Sequence, residues 1–288
     1  MGAEALALVL LSALIHPLRE LLLKGHDYPE SAYLAVVAGW VPIAAAHSAL
    51  MDHAVLLDRQ VAGFAVVSAL CLTAYYYGTM AALKTGDLSI YYPIIRSSPL
   101  IVVAVLWSLG WRDYNIAVLG GIALVVVASF ALQRQNTAAK ASTRTAALAL
   151  LAMAGSAGYT ISDSLAMTRS AAPPFLFWIY LMVAPAFAAL AITTRPAERP
   201  IRTHLTGAWR RSPLRLMAAS LVSYISYALI LTAFSRGAGA AETAAVRQVS
   251  IPLSVILAAV ALGETRFVGR LGWASLIAAG IVLIALGG

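Results

Sequence analysis

Two arginines stand where a bilayer least tolerates charge. Arg96 lies nine residues inside the apolar run 87–109, and Arg247 lies eight residues inside the run 239–262. An ionisable group at such depth costs at least about 2.5–3.5 kcal/mol on insertion scales, so it is expected to serve a site or to be neutralised. A guanidinium offers planar, fork-shaped donors that match a carboxylate or a phosphate. Arg96 shares a helical face with Ser89, Tyr92 and Pro99, and Arg247 shares one with Thr243, Ser250 and Ser254. Pro93, Pro99 and Pro252 free backbone carbonyls near the same depth, which a helix bundle tolerates best beside a cavity. The chemistry this implies is capture of an anion by two guanidiniums. The competing reading pairs each arginine with an acid such as Glu20, Asp163 or Glu242, or with helix-end carbonyls.

A second set of polar residues lies on two other runs. Ser12, His16, Arg19 and Glu20 gather on one face of the first run, and Ser156, Tyr159 and Asp163 on one face of the run 143–167. A buried carboxylate near a histidine can take up and release protons, so Glu20 and Asp163, with Arg19, are proton-coupling or charge-balancing candidates. The alternative is an ion pair, Arg19–Glu20 or Arg19–Asp163, that locks helices together. Aromatic residues add a third set: Tyr75, Tyr76, Tyr77, Tyr91, Tyr92, Tyr224 and Tyr227, with Trp40, Trp107 and Trp178. Tyr224 and Tyr227 share a helical face. Together with Tyr92 and His16 they are expected to shape a substrate cavity around the arginines. An aromatic cage suits a quaternary amine, whereas interfacial belts and ordinary packing account for the same residues structurally. Two arginines at mid-depth argue against a simple cation site.

The elements that must position these groups follow from hydropathy. Of 288 residues, 61% are hydrophobic and 11% charged, against about 25% charged in a soluble domain. That shortfall places the chain in a membrane. Ten apolar runs are expected to span it: 3–24, 30–51, 60–83, 87–109, 114–133, 143–167, 173–194, 212–235, 239–262 and 267–287. Each is long enough to cross a hydrocarbon core of about 30 Å as a helix, the form that satisfies its own backbone in lipid. The N-terminus lacks a basic region and a small-residue cleavage site, so it reads as the first helix. The longest link, about 194–215, carries six arginines and three prolines. Its Leu205 and Trp209 suit a helix lying on the membrane surface, and a solvated loop is the other reading. The lone cysteine, Cys71, excludes an internal disulfide and a cysteine-based metal site. With no P-loop, HExxH or Cys/His ligand spacing, neither cofactor nor metal is expected, and an enzyme is not.

The runs repeat. Pro99 and Pro252 are 153 residues apart, as are Gly110 and Gly263; Pro42 and Pro185 are 143 apart, as are Glu20 and Asp163. Residues 1–135 and 143–288 then form two halves of five spans. An odd number inverts the second half relative to the first. The expected fold is an all-α membrane protein, ten transmembrane helices in two inverted five-helix repeats around a central cavity. The net charge of +8 arises from 20 Lys and Arg against 12 Asp and Glu. Most of these cations lie between runs and read as topology signals, not as a nucleic-acid surface. Thirteen flank the odd-numbered links and four the even-numbered ones, which puts both termini outside.

In Ala82-Leu83-Lys84, Ser98-Pro99 and Leu109-Gly110, and in Ser250-Ile251-Pro252 with Leu262-Gly263-Glu264, the chain resembles the EamA-type branch of the drug/metabolite transporter superfamily. Trp111 stands in the first copy where Glu264 stands in the second. The resemblance covers essentially the whole chain. It implies ten helices, a central cavity and alternating access without ATP, in a bacterial-type inner membrane. It leaves open amino acids, amines, phosphate-bearing sugars and drugs as substrates.

The function expected from all this is secondary transport of a small polar solute bearing an anionic group, an amino acid, carboxylate, phosphate or phosphonate compound. Arg96 and Arg247 would hold the anion, Tyr92, Tyr224, Tyr227 and His16 would shape the cavity, and protons would be coupled through Glu20 or Asp163. Export of amines or mixed drugs is the alternative within the class. A non-transporting membrane sensor or intramembrane enzyme is the alternative outside it. The partners expected are the solute and the lipid bilayer, in a monomer or a homodimer packed through glycines of the last run.

Overall fold

A computed structural model describes residues 1–23, 26–85, 94–134, 143–193, 195–250 and 267–287, with side chains except at 20, 80, 82–85, 132–134, 267–271, 274, 285 and 286. All regular structure among these residues is helical. The order is α1 (Ala3–Leu23), α2 (Pro29–Leu50), α3 (Arg59–Thr85), α4 (Ser98–Ser108), α5 (Ile116–Arg134), α6 (Thr143–Ala166), α7 (Ala172–Thr193), α8 (Ile201–Arg211), α9 (Pro213–Ser235), α10 (Ala240–Val246) and α11 (Phe267–Gly287). Six of them are long and apolar enough to cross a membrane: α1, α2, α3 over Arg59–Thr79, α6, α7 and α9. This is a membrane protein. Shorter described apolar stretches cover Ser98–Ser108, Ile116–Ala131 and Ser275–Ile284. The ninth expected span enters as α10 and a 3₁₀ turn at Arg247–Val249; its remainder, with Pro252 and Ser254, lies outside the described residues.

The helices pair in a regular way. α1 lies along α9 and α3 along α6, while α2 packs on α7 and α5 on α11. Small residues set the closest approaches, as membrane packing without a hydrophobic driving force requires. A Cβ on Gly155 of α6 would stand 2.6 Å from the Cys71 carbonyl oxygen of α3, and one on Gly121 of α5 would stand 2.7 Å from the Gly280 carbonyl oxygen of α11. The α1–α9 contact uses hydroxyls instead. Ser12 donates to the Ser226 carbonyl at 2.7 Å, and Ser226 donates back to the Ser12 carbonyl at 3.0 Å.

Helix ends follow local chemistry. α4 and α9 each stop at a glycine with positive φ, Gly110 and Gly237. In both, the next residue's N–H reaches back five residues, Trp111 to Leu106 and Ala238 to Ala233, each at 2.9 Å. The long arginine-rich link resolves as a helix, α8, and not as a loop. It docks on the start of α2. Ser31 donates to the Leu205 carbonyl and accepts from the Ala208 N–H, both at 3.0 Å. The Arg199 and Arg211 guanidiniums lie 5.3 and 5.7 Å from the Tyr28 ring, and Arg211 is ion-paired with Asp27.

Candidate functional site

Arg96 and Arg247 both sit at interruptions of a helix. Residues 94–96 are helical and the chain turns at Ser97. There the Ser97 N–H bonds Ile94 and the Leu100 N–H bonds Ser97, each three residues back at 3.0 Å. Pro99 falls in the first turn of α4, where a missing N–H costs nothing. On the other side, α10 ends after seven residues and tightens into the 3₁₀ turn that begins at Arg247. Gln248 ties the two breaks together. Its Nε2 donates to the Arg96 carbonyl and to the Ala244 carbonyl, both at 3.2 Å. The Gln248 Oε1 is buried with no partner among the described residues.

Arg96 and Arg247 open into one cavity of about 60 Å³. His16 of α1, Tyr75 and Thr79 of α3, Ser98 of α4, and Ser156, Tyr159 and Thr160 of α6 also line it. Both arginines are half-buried. Arg247 donates to the Tyr159 hydroxyl at 3.5 Å, a long and weak contact. Among the described residues no carboxylate pairs with either arginine. Glu242, weighed above as one acid that could pair with the arginines, is instead held at 2.8 Å by Arg112 from the α4–α5 link. Asp163 accepts from Ser68 at 2.6 Å and from Tyr227. Those neutral donors satisfy a fully buried carboxylate. The Glu20 side chain lies outside the described residues.

A second cavity, of about 40 Å³, adjoins the first. His16, Tyr75, Tyr159 and Arg247 line both. Its further wall is mostly aromatic: Trp40, Tyr76, Tyr180 and Tyr227, with Leu72, Arg19, Ser223 and Ser226. The Trp40 and Tyr180 ring centroids are 4.0 Å apart, and Trp40 and Tyr227 are 5.6 Å apart. Trp40 Nε1 donates to Ser223 at 3.0 Å, and the Tyr76 and Tyr180 hydroxyls share a hydrogen bond of 2.9 Å.

The structure thus gathers Arg96, Arg247, His16 and Tyr227 around two joined chambers. Arg19 lines the second chamber, with its guanidinium 5.8 Å from the Tyr33 ring. Asp163 sits one hydrogen bond behind the wall, through Tyr227. Tyr224 takes another course, with its hydroxyl 2.8 Å from His47 Nδ1 and its ring edge-on to Trp40; it lines neither chamber. Trp178 bonds the Val55 carbonyl at 2.7 Å and Trp107 is exposed, as rings of an interfacial belt are. Tyr92, with Tyr91, Pro93 and Ser89, lies outside the described residues. Sequence reasoning missed Gln248, Thr79, Thr160, Ser223 and Ser226. Gln248 carried a readable signal, an amide next to a mid-span arginine. The hydroxyls carried none, because Thr160, Thr79 and Ser223 each bond the carbonyl four residues back, as they do in any membrane helix.

No family model and no curated protein matches this chain. Among solved structures 28 chains match. One of them, described only as "Crystal structure of protein", aligns at a TM-score of 0.74 and 16% identity over 99% of each chain. At that identity the likeness concerns the fold alone.

Proposed function

We propose that the chain is a secondary transporter of EamA type, which moves a small polar solute bearing an anionic group by alternating access. One observation carries this reading: Arg96 and Arg247, at matching helix breaks in the two halves of the chain, line a single cavity, and among the described residues no carboxylate forms an ion pair with either, although Asp163 lies within electrostatic reach of Arg247. A guanidinium in that state is a standing anion site. The reading includes ten spans in two inverted repeats, and the packing supports it. The first helix of each half lies on the third span of the other, α1 on α9 and α6 on α3. The second spans pair with each other, α2 with α7, and so do the last, α5 with α11. Exchanging the halves leaves this pattern unchanged. Pro42 and Pro185 fall inside the paired α2 and α7.

In this reading the chain works in a bacterial-type inner membrane with both termini outside, as monomer or homodimer, and needs no cofactor or catalytic step. Asp163, reached from the cavity through Tyr227, couples protons or balances charge; Glu20 has the same part in the first half. The experiment is counterflow in proteoliposomes loaded with a mixture of carboxylates, amino acids and phosphate esters. Exchange of a labelled anionic solute is the expected result. Exchange of quaternary amines alone would hand the site to the amine-exporter reading. No exchange of any solute by folded protein would leave a sensor or intramembrane enzyme.

A further inference from the structure

We infer that α8 is a docking shelf for the headgroups of anionic phospholipids, whatever solute the bundle carries. Its 11 residues divide into lanes at four-residue spacing. His204 and Ala208 are buried with Gly207 and face the bundle. Ile201, Leu205 and Trp209 form an apolar lane, in which Ile201 is 48% and Trp209 44% exposed. Arg202, Thr206 and Arg210 form the lane beside it, and both of its arginines are exposed. His204 sets the level of the helix. Its Nε2 donates to the Ala191 carbonyl at 2.9 Å, in the last turn of α7, where helix carbonyls lack partners of their own. α9 starts directly after α8, at Pro213, with Leu214 79% exposed. α8 is therefore pinned where two spans leave the membrane. An exposed isoleucine and tryptophan at that level belong in the boundary between headgroups and acyl chains.

The arginines of the link fall into two groups. Arg195 donates to the Pro196 and Ala197 carbonyls, and Arg215 donates to the Leu21 carbonyl. Arg199 and Arg211 lie against the Tyr28 ring, and Arg211 pairs with Asp27. Arg202 and Arg210 have no such partner among the described residues. Glu198, the acid of this link, forms no ion pair with either of them there. With the apolar lane in the boundary, these two guanidiniums stand at the depth of the lipid phosphates. A guanidinium takes phosphate oxygens on two parallel donors, and basic residues at a membrane surface select anionic over neutral lipid. A zwitterionic headgroup brings its own ammonium to the same place and gains less.

The test reads lipid contact at Trp209 by fluorescence quenching. The full chain is reconstituted in phosphatidylcholine vesicles containing either brominated phosphatidylglycerol or brominated phosphatidylcholine with the same acyl chains. The Trp209 signal is the difference between wild type and Trp209→Phe. An arginine near a membrane surface is worth about fivefold, so Trp209 should favour the anionic lipid by at least about tenfold, and less as salt is raised. The double variant Arg202→Gln/Arg210→Gln should bring the preference to parity. Its melting temperature and the quenching of the other tryptophans should not change, since both side chains are exposed. Glycerol 3-phosphate, a headgroup without chains, should not displace the brominated lipid. Displacement by it would reveal a site for a soluble phosphate and overturn the inference. Equal quenching by the two lipids in wild type would overturn it, as would a preference that survives in the double variant. Quenching of Trp209 by neither lipid would mean that water or a second copy covers the lane, and would also overturn it.

Discussion

Replacing Arg247 by glutamine removes the positive charge that both chambers share. At a contact distance of about 4 Å and an effective dielectric near 20, a guanidinium and a carboxylate attract by about 4 kcal/mol. Desolvation of the anion offsets part of this, and about 2–3 kcal/mol should remain. That corresponds to a loss of roughly 30- to 150-fold in affinity. The fold loses much less. The Arg247 guanidinium donates to Tyr159 at 3.5 Å, and hydrogen bonds between membrane helices average about 0.6 kcal/mol. Removing the charge also relieves the cost of holding it at that depth. The Arg247→Gln protein should therefore melt at or above the wild-type temperature in the absence of solute, while its thermal stabilisation by anions collapses. Arg247→Lys keeps the charge and loses the fork, so it should weaken binding by about tenfold. A sharply lower melting temperature with anion affinity intact would refute the argument and make Arg247 a structural residue.

Further outcomes follow from other parts of the molecule. Asp163→Asn sets an NH2 donor where one of the two oxygens accepts from Ser68 or Tyr227 and should cost about 1–3 kcal/mol of stability. If Asp163 couples protons, the variant will keep counterflow and lose uptake driven by a pH gradient; uptake that still follows the gradient would remove Asp163 from that role. Gly155→Ala puts a methyl 2.6 Å from the Cys71 carbonyl oxygen and should destabilise by about 1–3 kcal/mol as α3 and α6 separate, while Gly120→Ala, which meets nothing within 4 Å, should be close to neutral in the same melting assay. His26, in the α1–α2 link, is held below its ordinary value by burial and by the charge of Arg215. The folded chain then prefers the neutral ring, so this contribution is complete above about pH 6.5 and is lost as pH falls through the lower folded value. His26→Gln should flatten that part of the melting profile, and an unchanged profile would count against it.

Hydropathy alone marked the helical, membrane-embedded character of the chain, because lipid requires each span to satisfy its own backbone. Depth alone marked Arg96 and Arg247, since a charge far from both ends of a run cannot easily reach water. Facing was less legible. Helices that are apolar on all sides carry little periodic signal, so nothing in the run around Tyr224 foretold that it would turn to His47 while Tyr227 turned to Asp163. Ion pairing was equally hidden. Glu242 meets Arg112, 130 residues away, and no local pattern encodes that distance. The link at 194–215 was ambiguous because six arginines suit a surface helix as well as a loop; docking against Tyr28 and Ser31 decided it.

The order of residues determined where charge and proline interrupt the apolar runs, since these are properties of composition along a line. Whether two interruptions 151 residues apart border one void was decided by helix packing. The interlocked serines of α1 and α9 and the glycine contact of α3 with α6 set which faces meet. Close packing in a membrane is a matter of shape between distant segments, and shape becomes specific only when both partners are in place.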